Sequence, residues 1–141
     1  YNKYPQDEQI FQLYRMLTYG QPRMVEAENI AKSAKEFFDK SDFKRSAENY
    51  AIALEKDPLQ LTYAINAGMS YYNLKQYDLS LKYFKLAKAS KDVAIVEKSS
   101  RFLALALYNL GDKPAGCAEF LKLFNRFPKR MYRQEFRKYC Q

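Results

Sequence analysis

Apolar side chains between residues 27 and 60 recur every three or four positions, the spacing of one face of an α-helix. They form two sets on either side of the polar stretch DKSDF: Ile30, Ala34, Phe37 and Phe38, then Ala47, Tyr50, Ala51 and Leu54. Pro58 ends the second set, because proline cannot donate the backbone hydrogen bond that would continue a helix. The pattern predicts two helices joined by a short polar turn.

This pattern returns twice along the chain. Aromatic residues are separated by steps of 34 and then 36 positions in two series: Phe38, Tyr72 and Tyr108, and Tyr50, Phe84 and Phe120. Pro58 and Pro128 close the first and third copies. The chain is therefore predicted to hold three two-helix repeats, over residues 27–60, 61–96 and 97–130, the second with two extra residues.

Helix boundaries in the later copies follow from their own signals. The periodicity predicts helices over 59–74, 78–89 and 92–109. In the next turn, Gly111 suits the left-handed position after a helix, Asp112 the N-cap and Pro114 the first turn.

Small residues occupy one equivalent position in the first helix of each repeat: Ala34, Gly68 and Ala104. A glycine inside a helix costs about 1 kcal/mol relative to alanine, so packing must compensate for Gly68. We expect the two helices of each repeat to approach closely there, with rings such as Tyr72, Tyr77 and Phe84 filling the space.

Each end of the chain is predicted to form a capping helix. Residues 1–23 carry one apolar stripe that ends at Gly20, and this helix either caps the first repeat or is the second helix of a preceding one; the stripe is Ile10, Leu13, Tyr14 and Leu17. Residues 131–141 are expected to turn four side chains inward: Met131, Tyr132, Phe136 and Tyr139. Such caps cover the apolar face that an end repeat would otherwise expose.

Composition adds limits to this picture. The 141 residues include only four glycines and five prolines, which favours a single all-helical domain. The chain has no histidine and two cysteines, so the commonest general base and metal ligand is missing. No catalytic motif is visible, and we expect no enzyme activity, no cofactor and no metal site. The net charge of +8 favours acidic partners.

The three repeats resemble the tetratricopeptide repeat (TPR) family. The segments that carry the resemblance are AENIAKSAKEFFDKSDFKRSAENYAIALEKDP, AINAGMSYYNLKQYDLSLKYFKLA and FLALALYNLGDKPAGCAEFLKLFNRFP. The departures are Ile30, Ala64 and Ser100, where the family often has a large aromatic, and Lys113, where the loop aromatic belongs. The resemblance implies one domain, residues 1–141, folded as a right-handed α-α superhelix of three TPR units with capping helices, and a scaffold that binds a protein or peptide.

In the family, the first helices of the repeats line a concave groove. The resemblance places these side chains there: Lys35, Phe38, Asn66, Met69, Tyr72, Asn73, Lys98, Arg101, Leu105, Tyr108 and Asn109. It implies that the tyrosines anchor a partner, the asparagines hold its backbone and the cations select its charge. The alternative is a solvated face with aromatics that belong to the core.

Some TPR domains bind the C-terminal carboxylates of heat-shock chaperones through a clamp of lysines and asparagines. Asn66 and Lys98 match two of its five positions, whereas Ala31, Lys35 and Phe102 replace the others. This partial match implies an acidic or C-terminal peptide as the partner, but not the complete clamp.

Cys117 and Cys140 lie 12 residues before and 11 after Lys129. If the last two helices form an antiparallel hairpin that turns near Lys129, both cysteines reach the same level and a disulfide is possible. The alternative is two free thiols in the core. A bridge would place the protein in an oxidising compartment such as the periplasm, and free thiols in the cytoplasm.

Two other functions stay open at this point. The segment LGDKPAGCAEFLKLFNRFPKR resembles the last repeats of bacterial periplasmic TPR proteins of the kind that coordinate the Tol-Pal system, which implies an assembly domain of an envelope complex. The second is binding of RNA or an anionic membrane by the basic end, against the alternative of a solvated cap. The cations are Arg126, Lys129, Arg130, Arg133, Arg137 and Lys138, with the single acid Glu135.

Overall fold

A computed structural model describes residues 5–141, apart from the side chains of residues 5–7 and 19. This part of the chain consists of helices and contains no strand. The eight helices are α1 (Pro5–Tyr19), α2 (Gln21–Asp39), α3 (Phe43–Lys56), α4 (Leu61–Asn73), α5 (Tyr77–Ala87), α6 (Val93–Asn109), α7 (Lys113–Arg126) and α8 (Arg130–Cys140). The all-α fold class predicted from the sequence is confirmed. None of these helices is long and apolar enough to cross a membrane.

Three helical hairpins follow one another in the chain: α2 with α3, α4 with α5, and α6 with α7. Gly20 separates α1 from α2, where the sequence predicts a break, but α2 already begins at Gln21, ahead of the repeat start at residue 27. The N-cap carboxylates of Asp42, Asp92 and Asp112 accept backbone hydrogen bonds at the starts of α3, α6 and α7.

The turn inside each hairpin has one repeated geometry. Ser41, Lys75 and Gly111 adopt left-handed backbone angles, with φ of 62°, 60° and 102°. Their N–H groups donate to the carbonyls of the aromatic residues three positions earlier, which are Phe38, Tyr72 and Tyr108. The next N–H groups, of Asp42, Gln76 and Asp112, donate to carbonyls five positions earlier. This is the Schellman ending of a helix, and it appears three times in register.

Close helix contacts explain the glycine inside α4. The backbone of Gly68 lies against the fully buried ring of Phe84 on α5, and a Cβ at Gly68 would come within 2.7 Å of that ring. Ala34 and Ala104 are also fully buried on α2 and α6. In the third hairpin, a Cβ at Gly116 would lie 3.0 Å from the backbone of α6. Tyr72 and Tyr77 pack on each other at 5.3 Å beside the Phe84 contact.

The apolar stripe of α1 does not pack on the first repeat, contrary to the prediction from sequence. Ile10, Leu13, Tyr14 and Leu17 all face solvent, Leu17 with 78% of its surface exposed. The face of α1 that is turned inward carries Arg15, which is only 2% exposed and pairs with the fully buried carboxylate of Asp57. The ion pair, and not the apolar stripe, orients α1.

The C-terminal helix follows its prediction with one exception. Tyr132 is buried, and Phe136 and Tyr139 pack into the cluster that contains Phe120. Met131, expected to face inward, is 45% exposed and instead lines a pocket between α6 and α8. It stands at the start of the helix, where Lys129 and Tyr132 already cover the neighbouring part of α6 through Glu97.

Candidate partner-binding groove

The first helices of the second and third hairpins lie side by side. Tyr72 of α4 meets Phe102 of α6 edge to face at 5.7 Å, and the Asn109 side-chain amide donates to the Tyr72 hydroxyl at 2.9 Å. Burial raises the pKa of Tyr72, so its phenol stays neutral at ordinary pH although the Asn109 hydrogen bond opposes this shift. The ring is fixed on three sides by Tyr77, Phe102 and Asn109.

The residues that the family register assigns to the groove differ in exposure. Four are exposed: Lys35, Asn73, Lys98 and Asn109. Six are half-buried: Phe38, Asn66, Met69, Tyr72, Arg101 and Tyr108. Lys35 forms a surface ion pair with Asp39 at 2.9 Å, and Asn73 donates to the Met69 carbonyl of its own helix. Both contacts are weak because they lie at the surface, so these side chains stay available to a partner.

The C-terminal helix α8, predicted as a cap, covers part of α6, including residues that the family register assigns to the groove. Leu105 is only 8% exposed and packs beneath Phe136 and Tyr139, so it does not reach a groove. Tyr108 contacts Tyr139 at 4.9 Å, and Arg101 donates to Glu135 at 2.8 Å. Of the residues assigned to α6, Lys98 and Asn109 remain the most accessible.

A pocket of about 390 Å³ lies where α8 meets α6. Its walls combine the cations Lys98, Arg101 and Lys129 with the apolar surfaces of Phe102 and Met131. Glu97, at its edge, accepts hydrogen bonds from Lys129 at 2.6 Å and from the Tyr132 hydroxyl.

The charges at this pocket are unevenly compensated. Burial would raise the pKa of Glu97, but the hydrogen bonds from Lys129 and Tyr132 hold it below its ordinary value, so the carboxylate stays ionised. Burial and the bond to Glu97 together raise the pKa of Tyr132. Lys129 and Arg101 therefore face acids of the chain itself, at Glu97 and Glu135. The exposed ammonium of Lys98 faces no such acid within the described residues, and it can meet a partner's carboxylate.

Cys117 of α7 and Cys140 of α8 are joined by a disulfide, with their Cα atoms 5.7 Å apart. The bond closes a loop of 23 residues and holds the end of α8 against α7. Both cysteines are half-buried beside Tyr139. The disulfide thus fixes the last residue of α8, while the pocket residues Met131 and Tyr132 stand at the start of this helix.

Between residues 5 and 141, no group of three or more His, Cys, Asp or Glu side chains could hold a metal ion. The clamp positions Asn66 and Lys98 lie on neighbouring first helices, Asn66 half-buried and Lys98 exposed.

No family model matches the sequence, and no curated protein matches it either. Solved structures do match. The N-terminal domain of stress-induced protein-1 (STI-1) from C. elegans is similar, with 15% identity and a TM-score of 0.75 over 84% of this chain and 98% of that one.

Two further structures are domains of RPAP3. The first TPR of Spaghetti (RPAP3), bound to the HSP90 peptide SRMEEVD, shares 17% identity at a TM-score of 0.70 over 79% of this chain and 88% of that one. The second TPR domain of human RPAP3, in complex with the HSP70 peptide SGPTIEEVD, shares 18% identity at a TM-score of 0.75. The match covers 84% of this chain and 98% of that one. At these identities the likeness concerns the fold: the chain has the fold of TPR domains. The resemblance of its last repeat to Tol-Pal-associated proteins stays a prediction.

Proposed function

We propose that this TPR-fold chain is a non-catalytic scaffold that binds an extended, acidic segment of a partner protein along α2, α4 and α6. The observation that carries the proposal is the arrangement on neighbouring first helices. The Tyr72 ring of α4 packs on Phe102 of α6 and accepts a hydrogen bond from the Asn109 amide of α6, so rings and an amide of neighbouring first helices meet there. Fixed rings and amides bind a peptide at low entropic cost.

Each type of side chain has a separate role. Tyr72, held by Phe102 and Asn109, offers a rigid face for an apolar side chain of the partner. Asn66 and Asn73 can pair with the backbone of an extended segment, since an amide both donates and accepts. Lys98 attracts a carboxylate at the edge of the pocket between α6 and α8.

Two of the similar structures hold peptides that end in the acidic sequence EEVD. This supports an acidic segment as the partner here. The chain keeps Asn66 and Lys98 of the clamp but has Ala31 and Phe102 where cations of the clamp belong. We therefore expect contact with a terminal carboxylate to rest on Lys98, with weaker binding than a complete clamp provides.

Substitution of Lys98 or Asn66 tests this proposal. In fluorescence anisotropy with labelled SGPTIEEVD, Lys98→Ala and Asn66→Ala are each expected to weaken binding about five- to tenfold, the worth of one charge-assisted or well-placed hydrogen bond. Thermal unfolding should change little, because Lys98 is exposed and Asn66 half-buried.

Lys85→Ala, which removes an exposed lysine from the second helix of a repeat, is the matched control and should bind as the unchanged protein does. Equal weakening by Lys85→Ala would show non-specific attraction by the net charge. Absence of binding to the unchanged protein would contradict the acidic partner.

A further inference from the structure

The outer face of α8 carries a row of arginines. Arg130, Arg133 and Arg137 are all exposed, and their spacing of three and four residues places them on one side of the helix. At a rise of about 1.5 Å per residue, the row is roughly 10 Å long. Arg126, exposed at the end of α7, precedes Arg130 by four residues, whereas Lys138 lines a second pocket on the Glu135 side of α8. Four exposed arginines therefore lie at this end of the stack.

The row is not neutralised by the chain. Glu135 is the only acid after Glu119, and it pairs with Arg101 on the opposite side of α8. Within the described residues, Arg130, Arg133 and Arg137 form no ion pair. Their guanidinium groups are fully charged, and their planar donors match phosphate oxygens.

The row is held rigidly at the end of the domain. Tyr132, Phe136 and Tyr139 anchor the inner face of α8, and the disulfide to Cys117 fixes its last residue. A flat anionic surface can therefore meet the row without reordering the helix. The groove on α4 and α6 lies on a different face and is not needed for this contact.

We propose that the arginine row of α8 docks the domain onto an anionic phospholipid surface by contact with lipid phosphates. Clusters of four to eight cations on an amphipathic helix are typical of such binding. The contact is electrostatic and does not involve insertion, because the apolar face of α8 is packed on the domain. The disulfide favours a lipid over a nucleic acid, since such bonds persist in oxidising compartments.

Vesicle sedimentation tests the proposal. The intact, oxidised chain should bind phosphatidylcholine vesicles that contain roughly 30% phosphatidylglycerol, and pure phosphatidylcholine only weakly. Arg130→Gln, Arg133→Gln and Arg137→Gln together should lower the partition constant about a hundredfold, since each cation contributes roughly a factor of five. The control Lys44→Gln, Lys82→Gln and Lys85→Gln removes the same charge from exposed positions of α3 and α5 and should cost less than about threefold.

Circular dichroism should show both triple variants folded, because all six positions are exposed. Equal losses in the two variants, or no preference for anionic vesicles, would overturn the proposal. A duplex DNA probe forms the third arm. If the duplex binds with a steep salt dependence that the arginine variant loses, while vesicles do not bind, the row serves a nucleic acid and the membrane proposal is wrong.

Discussion

Replacing Phe84 with alanine is expected to lower the free energy of unfolding by about 3–5 kcal/mol, the usual cost of removing a fully buried aromatic ring. The ring is fully buried and packs against the backbone of Gly68 and, at 5.7 Å, against the ring of Phe102. It therefore joins α4 and α5 of the second hairpin to α6 of the third. Urea unfolding followed by circular dichroism measures the loss.

Two variants show whether the loss comes from this contact. Leu86→Ala, on the same helix but 40% exposed, should cost less than about 1 kcal/mol. Gly68→Ala gains about 1 kcal/mol of helix propensity, yet its Cβ would stand 2.7 Å from the buried ring, so we expect a net loss of about 1–2 kcal/mol. A stabilised Gly68→Ala protein would show that the helices do not need the small residue.

Replacing Asp57 with alanine is expected to cost up to about 3–5 kcal/mol, because it leaves the Arg15 guanidinium buried without its partner carboxylate. Since α1 packs mainly on α2, Arg15 can escape to water if α1 detaches. The destabilisation by Asp57→Ala is therefore expected first as local opening of α1. Amide exchange in residues 8–18 should accelerate about a hundredfold, while α6 keeps its protection.

An apolar pair provides the control for this prediction. Arg15→Met combined with Asp57→Leu removes both charges and should keep α1 docked, because a buried ion pair is commonly replaced by apolar side chains without loss. If Asp57→Ala leaves the exchange of α1 unchanged, the ion pair does not hold this helix.

The repeat could be predicted from sequence because its signals are local and occur three times. The aromatic steps, the prolines and the small residues at Ala34, Gly68 and Ala104 identify the hairpins. The left-handed turns could be predicted only at Gly111, since Ser41 and Lys75 carry side chains that disfavour positive φ. Tertiary packing, together with the hydrogen bonds of the Schellman ending, overrides that local preference.

The two ends were harder to predict, because their orientation depends on contacts that are distant in sequence. The stripe of α1 suggested an apolar contact, but the pairing of Arg15 with Asp57, 42 residues later, decides which face turns inward. An isolated arginine between apolar positions is a weak signal on its own. The partner in the turn after α3 gives no periodic pattern at all.

The family pattern assigned residues to the candidate groove but did not predict which of them α8 covers. It assigned Lys98, Arg101 and Leu105 to one face of α6 and implied a C-terminal capping helix, but it did not indicate that this helix packs over part of that face. Arg101 pairs with Glu135 of α8, and Tyr108 and Leu105 pack with Tyr139 of the same helix.

Chemical-shift mapping of the ¹⁵N-labelled chain during titration with SGPTIEEVD shows where an acidic peptide binds. We expect the largest shifts on Asn66, Met69 and Lys98, on the first helices of the second and third hairpins. Shifts concentrated on α3 and α5, or on the arginine row of α8, would contradict this expectation, as would a spectrum that the peptide leaves unchanged.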